Sequence, residues 1–142
     1  MNVYAGAENI ITSLGFNSGE NIERILAGDS GIAIDRSGRY SPEPLPLSHI
    51  DHERAESLFK EICPASKGPF TPLEKLFILS ITDALRQSRI DISSAETGII
   101  FSSTKGNIDL LQPEKEHTFG RERIYLHEMA RTISACFGNP NT

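Results

Sequence analysis

The 142-residue sequence holds only two cysteines, Cys63 and Cys136, too few for a disulfide framework and too far apart for a CxxC redox or zinc motif. Reduced thiols are expected. No stretch approaches the roughly 18 apolar residues that cross a bilayer, and the opening "MNVYAGAENIITSLG" lacks the cationic start and apolar run of a targeting segment. Neither a membrane partner nor export is therefore expected, and the cytoplasm is the expected compartment. Basic clusters are missing too: 19 acidic against 14 basic side chains give a net charge of −5, which offers no electrostatic reason to hold nucleic acid. Internal repeats and low-complexity tracts are absent. What is present, 38% apolar and 23% charged residues, is the balance of one globular domain with enough apolar side chains to build a core.

The pattern of those side chains predicts strands alternating with helices. "NVYAGAENIITSLG" mixes small and β-branched residues and predicts a strand that bends at Gly6 and continues through Ile10 and Ile11. In "NSGENIERILAG", Asn17 is placed to cap a helix with Glu20 three positions later. Ile22, Ile25 and Leu26 share one face, which predicts burial against something apolar, and Gly28 supplies the stop. "SGIAID" predicts a brief strand. The prolines of "RSGRYSPEPLPLSHID" then exclude regular structure until about Leu47.

Asp51 is a cap for a second amphipathic helix with Ala55, Leu58, Phe59 and Ile62 at helical spacing, ended by Pro64. Thr71, Pro72 and Glu74 form a capping box with proline at the first helical position. The helix they start is apolar nearly all round from Leu73 to Leu85, which predicts neighbours on most sides. "ETGIIFSST" predicts a central strand covered on both faces and parallel to its neighbours. After a long connection, "RERIYLHEMARTISACFG" predicts a last helix with Ile124, Tyr125, Met129 and Ile133 inward and Gly138 as its stop. The whole is expected to be a layered α/β fold.

Each chemistry-bearing cluster is short of what its chemistry needs. His49, Asp51 and His52 lie together, but a metal site needs three or four converging ligands, and His117 and His127 fit no zinc spacing. "SSTKGN", Ser102 to Asn107, follows a predicted strand, yet its order is not the GxxxxGK[ST] of a phosphate loop, and no GxSxG elbow gives the serines a hydrolase context. Cys136 falls near the end of a predicted helix, where the dipole raises a thiol pKa. A packing role is expected for it, and Cys63, just before a proline, is no better placed as a nucleophile.

The order of "VYAGAENIITSLG", "NIERILAGDSGI", a buried helix, "TGIIFSSTKGNID" and a helix closing on "ISACFGNPNT" resembles the N-terminal part of a β-ketoacyl-[acyl-carrier-protein] synthase of the thiolase-like superfamily. The register "TSLG…N…LAGDSGI" is its most specific element. The resemblance spans residues 1–142. It departs where many members carry a glycine-rich stretch after the third strand, since Thr104, Lys105, Gly106 and Asn107 stand there. That departure weakens the assignment to the housekeeping fatty-acid branch and leaves a more divergent or polyene-type synthase open.

The resemblance implies the N-terminal portion of a thiolase-like layered α/β/α fold, incomplete in this chain. It implies decarboxylative Claisen condensation, in which a cysteine takes the acyl chain as a thioester and two histidines polarise the malonyl thioester. In the family the nucleophile lies beyond a strand that follows the turn matching "FGNPNT", and the histidines come from the second half of the fold. No catalytic position transfers to this chain, and the expectation is a fragment inactive alone, with no cofactor or metal. Ile108, Leu110 and Leu111 are the candidates for an acyl-pocket wall or a dimer contact, with simple core packing as the competing role. The implied partners are acyl carrier protein, through the complete enzyme, and a homodimer or ketosynthase partner chain. A non-catalytic partner subunit or scaffold is the alternative, and an unrelated small α/β ligand-binding protein a further one.

Overall fold

Three of the helices begin where their caps place them. The Asn17 side chain accepts the Glu20 N–H at 2.9 Å, and the Asp51 carboxylate accepts the Arg54 N–H at 2.9 Å. The Thr71 hydroxyl accepts the Glu74 N–H at 3.2 Å, while the Glu74 carboxylate returns the bond to the Thr71 N–H at 2.8 Å. Each closes orphan donors of a first helical turn. A computed structural model describes residues 2–63, 68–112 and 119–141. Within them the elements run α1 (Ser18–Leu26), β1 (Ala33–Asp35), β2 (Leu45–Leu47), α2 (His52–Ile62), α3 (Pro72–Arg86) and α4 (Leu126–Cys136). Two 3-10 turns, Ile108–Leu111 and Arg121–Ile124, lie between α3 and α4. The chain is thus mixed α and β, and among the described residues no helix is long and apolar enough to cross a membrane.

Helix α3 is the middle of the packing, which explains why its sequence is apolar on more than one stripe. Ile78 is buried with Phe59, Cys63, Phe70, Met129, Ile133 and Cys136, and Leu73, Phe77 and Ile81 pack against that cluster. Leu79 turns the other way, into a second cluster with Phe16 and Ala55 that Leu58 and Leu76 extend. The helix therefore serves α4 on one side and α2 on the other. Both cysteines sit in the first cluster as buried packing residues, the usual fate of a small polarizable side chain.

Among the described residues the predicted sheet is not formed. The single sheet among the described residues is a β1–β2 hairpin, antiparallel, with Ala33 opposite Leu47 and Asp35 opposite Leu45. β1 matches the expected strand, but β2 contains Pro46 inside the stretch expected to be irregular. A two-stranded ribbon has only edges, where a missing N–H is tolerated. The segment expected to be the first strand has only an isolated bridge between Thr12 and Gly15. Side-chain amides take the backbone groups a ladder would have used: Asn21 donates to the Ile10 carbonyl at 3.0 Å, and Asn9 to that of Phe16 at 3.3 Å. The "ETGIIFSST" stretch also lacks a ladder, having no strand beside it among the described residues. Tyr125, expected inward, is exposed and stacks on His127 at 5.6 Å, because the 3-10 turn ends at Ile124 and resets the helical phase. Met129 and Ile133 are buried as expected. Pro64, the expected stop of α2, lies outside the described residues.

The connection between α3 and α4 is fixed by a buried polar group of four. Glu74 has no exposed side-chain surface and pairs with Arg123, whose Nε lies 3.2 Å from Oε1 and whose Nη2 bonds Oε2. Asn107 donates to Glu74 Oε1 at 3.0 Å and to the Arg123 carbonyl at 2.9 Å, and accepts the Thr71 hydroxyl at 2.7 Å. One carboxylate thus ties the start of α3 to both 3-10 turns. Removing one member of a buried ion pair leaves the other charge uncompensated, a cost of about 3–5 kcal/mol. Glu74→Ala is expected to lower the unfolding free energy in urea by that amount, whereas Glu23→Ala on the exposed side of α1 should change it by less than about 0.5 kcal/mol. Equal small effects would show that the network does not hold the connection.

Candidate functional site

The two stretches that carry the most specific register meet in space. The Ser13 hydroxyl donates to the Gly31 carbonyl at 2.7 Å and lies 2.8 Å from the Ser48 hydroxyl. Gly31 has φ +68°, and a Cβ placed there would come within 2.4 Å of Ser13 Oγ. The glycine is needed twice, for its backbone conformation and for the close approach. "TSLG" is clasped onto "GDSG".

A second set of polar contacts decides which way α1 faces. Asn21 is its buried residue, and the Asn21 amide donates to the carbonyls of Ile10, Gly15 and Asn17 at 3.0, 3.2 and 2.8 Å. Its own oxygen accepts the Thr12 hydroxyl. With the polar side of the helix docked, the apolar stripe points away from the core: Ile22 is 56%, Ile25 60% and Leu26 81% exposed. This reverses the expected burial of that stripe. Ile32, just before β1, and Ile34 within it are exposed as well. Single exposed apolar residues need no explanation, but here three on one helix stripe face outward together.

Concave sites beside this surface are modest. A cleft of about 480 Å³ is lined by Ser13, Arg24, Asp29, Ser30, Ile32 and His49. Its charges are already matched, since Arg24 pairs with Asp29, and the Ser13 hydroxyl is engaged as above. A second cleft, about 210 Å³, is lined by Phe16, Glu20, Arg54, Leu58, Leu79 and Asp83, below the roughly 300 Å³ of a typical small-molecule site. There Arg54 bonds Glu20 at 2.5 Å and lies 4.9 Å from the Phe16 ring centroid. The Arg54 guanidinium, with the Phe16 N–H at 2.8 Å, holds the Glu20 carboxyl below its ordinary range. This pair staples α1 to α2 and presents no reactive group.

The residues singled out from sequence are dispersed. His49 sits 5.5 Å from the Tyr40 ring, His52 opens α2 in solvent, and His127 is exposed beside Tyr125; His117 lies outside the described residues. Cys136 is the last residue of α4 and is buried. Of the three wall candidates, Leu110 is buried, while Ile108 and Leu111 are about half exposed, so the 3-10 turn points one side chain inward and two outward. The stretch after α4 is not a loose end: the Asn139 amide donates to the carbonyls of Ile92 and Thr97 at 2.5 and 2.9 Å, and the Asn141 amide to those of Ala95 and Thr97 at 2.9 and 3.0 Å. Neither Asn21 nor Asn139 was a sequence candidate. Their signal was a lone amide side chain at a helix or turn position packed among glycines, a pattern shared by many ordinary turns.

No protein-family model, curated protein or solved structure matches this chain. The class that fold and site define is a mixed α and β chain with a clasped N-terminal segment and an outward apolar helix stripe.

The clasp can be separated from ordinary glycine strain. Gly28 has φ +90° with open space around it, whereas Gly31 has φ +68° against Ser13. Gly28→Ala is expected to cost about 1–2 kcal/mol for the left-handed backbone alone. Gly31→Ala should cost about 1–3 kcal/mol more, for overpacking and the displaced Ser13 hydroxyl. Chemical denaturation of both variants decides this, and indistinguishable midpoints would rule the close approach out.

Proposed function

We propose that the chain is the N-terminal portion of a β-ketoacyl-[acyl-carrier-protein] synthase, taking part in acyl-chain elongation by decarboxylative Claisen condensation and inactive in condensation alone. The observation that carries this reading is the contact between "TSLG" and "GDSG". The two stretches on which the resemblance depends are held together by Ser13 and Gly31. A register of that kind is meaningful only if its parts are constrained together, and here they are. The outward stripe of α1 supplies the surface by which such a portion joins the rest of a synthase. In that arrangement the thiolase-like layers are completed by the partner, which contributes the nucleophilic cysteine and the two histidines.

This chain's own thiols do not fit the catalytic role. A thioester-forming cysteine needs a helix N-terminus and access for the acyl carrier protein, and Cys136 is buried at the C-terminal end of α4 while Cys63 is buried after α2. Acyl carrier protein is therefore a partner of the assembled enzyme. The alternative reading, a non-catalytic subunit beside a catalytic ketosynthase chain, uses the same surface.

Co-expression with the second half of a ketosynthase is the test. The expected outcome is a stoichiometric complex that condenses an acyl group with malonyl-carrier protein, with neither part active alone. Ile25→Glu together with Leu26→Lys should abolish the complex while leaving the circular dichroism of this chain unchanged, because both side chains are exposed. A complex with an intact, self-sufficient ketosynthase, without gain of activity from the half, would favour the subunit reading. Failure to bind either would end both.

A further inference from the structure

The cleft between α2 and α3 carries more charge than its own residues match. Arg54, Leu58, Glu61 and Ile62 recur along one stripe of α2, and Leu79, Thr82, Asp83 and Arg86 along one stripe of α3. Both stripes line the cleft of about 210 Å³, together with Phe16 and Glu20. Its floor is the second apolar cluster, since Phe16 and Leu79 are buried and Leu58 and Ile62 cover them only in part. Glu20 and Arg54 satisfy one another, and the other Glu20 oxygen accepts the Phe16 N–H at 2.8 Å. Glu61 and Arg86 differ from that pair. Both are exposed, and among the described residues neither has a hydrogen-bond or ion-pair partner. Asp83 accepts the Gln87 side-chain amide on Oδ2 at 3.0 Å, which leaves Oδ1 without a partner among the described residues.

We propose that this cleft binds a free α-amino acid with an apolar side chain, of the leucine or phenylalanine kind. The ligand's ammonium has the Glu61 carboxylate and Asp83 Oδ1 to meet, its carboxylate has the Arg86 guanidinium, and its side chain covers Leu58, Ile62 and Phe16. A charged group that leaves water needs charged or hydrogen-bonding partners in exchange, and both ends of the ligand find them. Charge selects the zwitterion. An anion without an ammonium would meet two carboxylates for one unmatched guanidinium, and an amine without a carboxylate would leave Arg86 unused. Volume sets the size: the cleft is below the roughly 300 Å³ of a drug-sized site and suits one amino acid rather than a peptide. A ligand seated there touches both helices and stabilises the folded chain by mass action.

The site does not depend on the ketosynthase reading, so its test uses this chain alone. Calorimetric titration of the full chain with L-leucine and with L-phenylalanine is expected to show saturable binding of at least one of them. Affinity should fall roughly tenfold or more for isocaproate, which lacks the ammonium, and for leucine methyl ester, which lacks the carboxylate. Arg86→Gln and Glu61→Gln alter exposed side chains and should leave the circular dichroism unchanged. Arg86→Gln should weaken leucine about tenfold and leave the methyl ester as it was. Glu61→Gln should weaken leucine and its ester alike without weakening isocaproate. That crossed pattern separates direct contact from a general loosening of the helix pair. No saturable binding of either amino acid, an ester or isocaproate that binds as well as leucine, or variants that weaken every ligand equally would each overturn the proposal.

Discussion

The buried amide of Asn21 determines the character of this molecule more than any apolar contact. A side-chain amide cannot be left without partners inside a protein, and Asn21 finds them in the carbonyls of Ile10, Gly15 and Asn17. Meeting that demand turns α1 so that its polar side faces the chain. The usual arrangement of an amphipathic helix is thereby reversed, and Ile22, Ile25 and Leu26 are left in water. Hydrophobic burial of those three side chains would favour the opposite orientation by a few kcal/mol on transfer scales. The exposed stripe is therefore unsatisfied in the free chain and available to a partner.

The remainder of the fold is arranged in the same manner, with polar groups fixing the path of loops over a helical core. Glu74 joins the start of α3 to Asn107 and Arg123, and through them to both 3-10 turns. Asn139 and Asn141 fasten the segment after α4 onto residues 92–97. These bonds run between positions distant in sequence, and they supply the long-range order that a sheet would ordinarily give. The apolar core beneath them is made by α2, α3 and α4, with α3 packed on two sides.

The helices were legible because their signals are local. Asn17, Asp51 and Thr71 cap where their own first turns need an acceptor, and Gly28 and Gly138 take the positive φ expected after α1 and α4. Apart from β1, which forms where "SGIAID" predicts it, the strands were not legible, because β-propensity reports a fit to a half-buried surface and says nothing of whether a neighbour exists. The run Thr97–Ser103 has the strand pattern and lacks the ladder, while Pro46 sits in a strand that only an edge position permits. The direction of α1 was illegible for a different reason: its apolar stripe was visible, but the outcome depended on an amide whose acceptors, at Ile10, Gly15 and Asn17, lie in the segment leading into the helix. Of the wall candidates, Leu110 alone is buried, since the 3-10 turn there presents only one of its apolar side chains to the core.

On the ketosynthase proposal, the chain is one part of an assembly that condenses acyl groups. The central physical claim is that the apolar stripe of α1 is the surface the assembly covers. Hydroxyl-radical footprinting of this chain, alone and with a ketosynthase second half, measures that directly at the side chains concerned. Ile22, Ile25 and Leu26 are predicted to be strongly labelled in the free chain and protected in the complex. Labelling that is weak in the free chain, or unchanged when the complex has formed, would contradict the account.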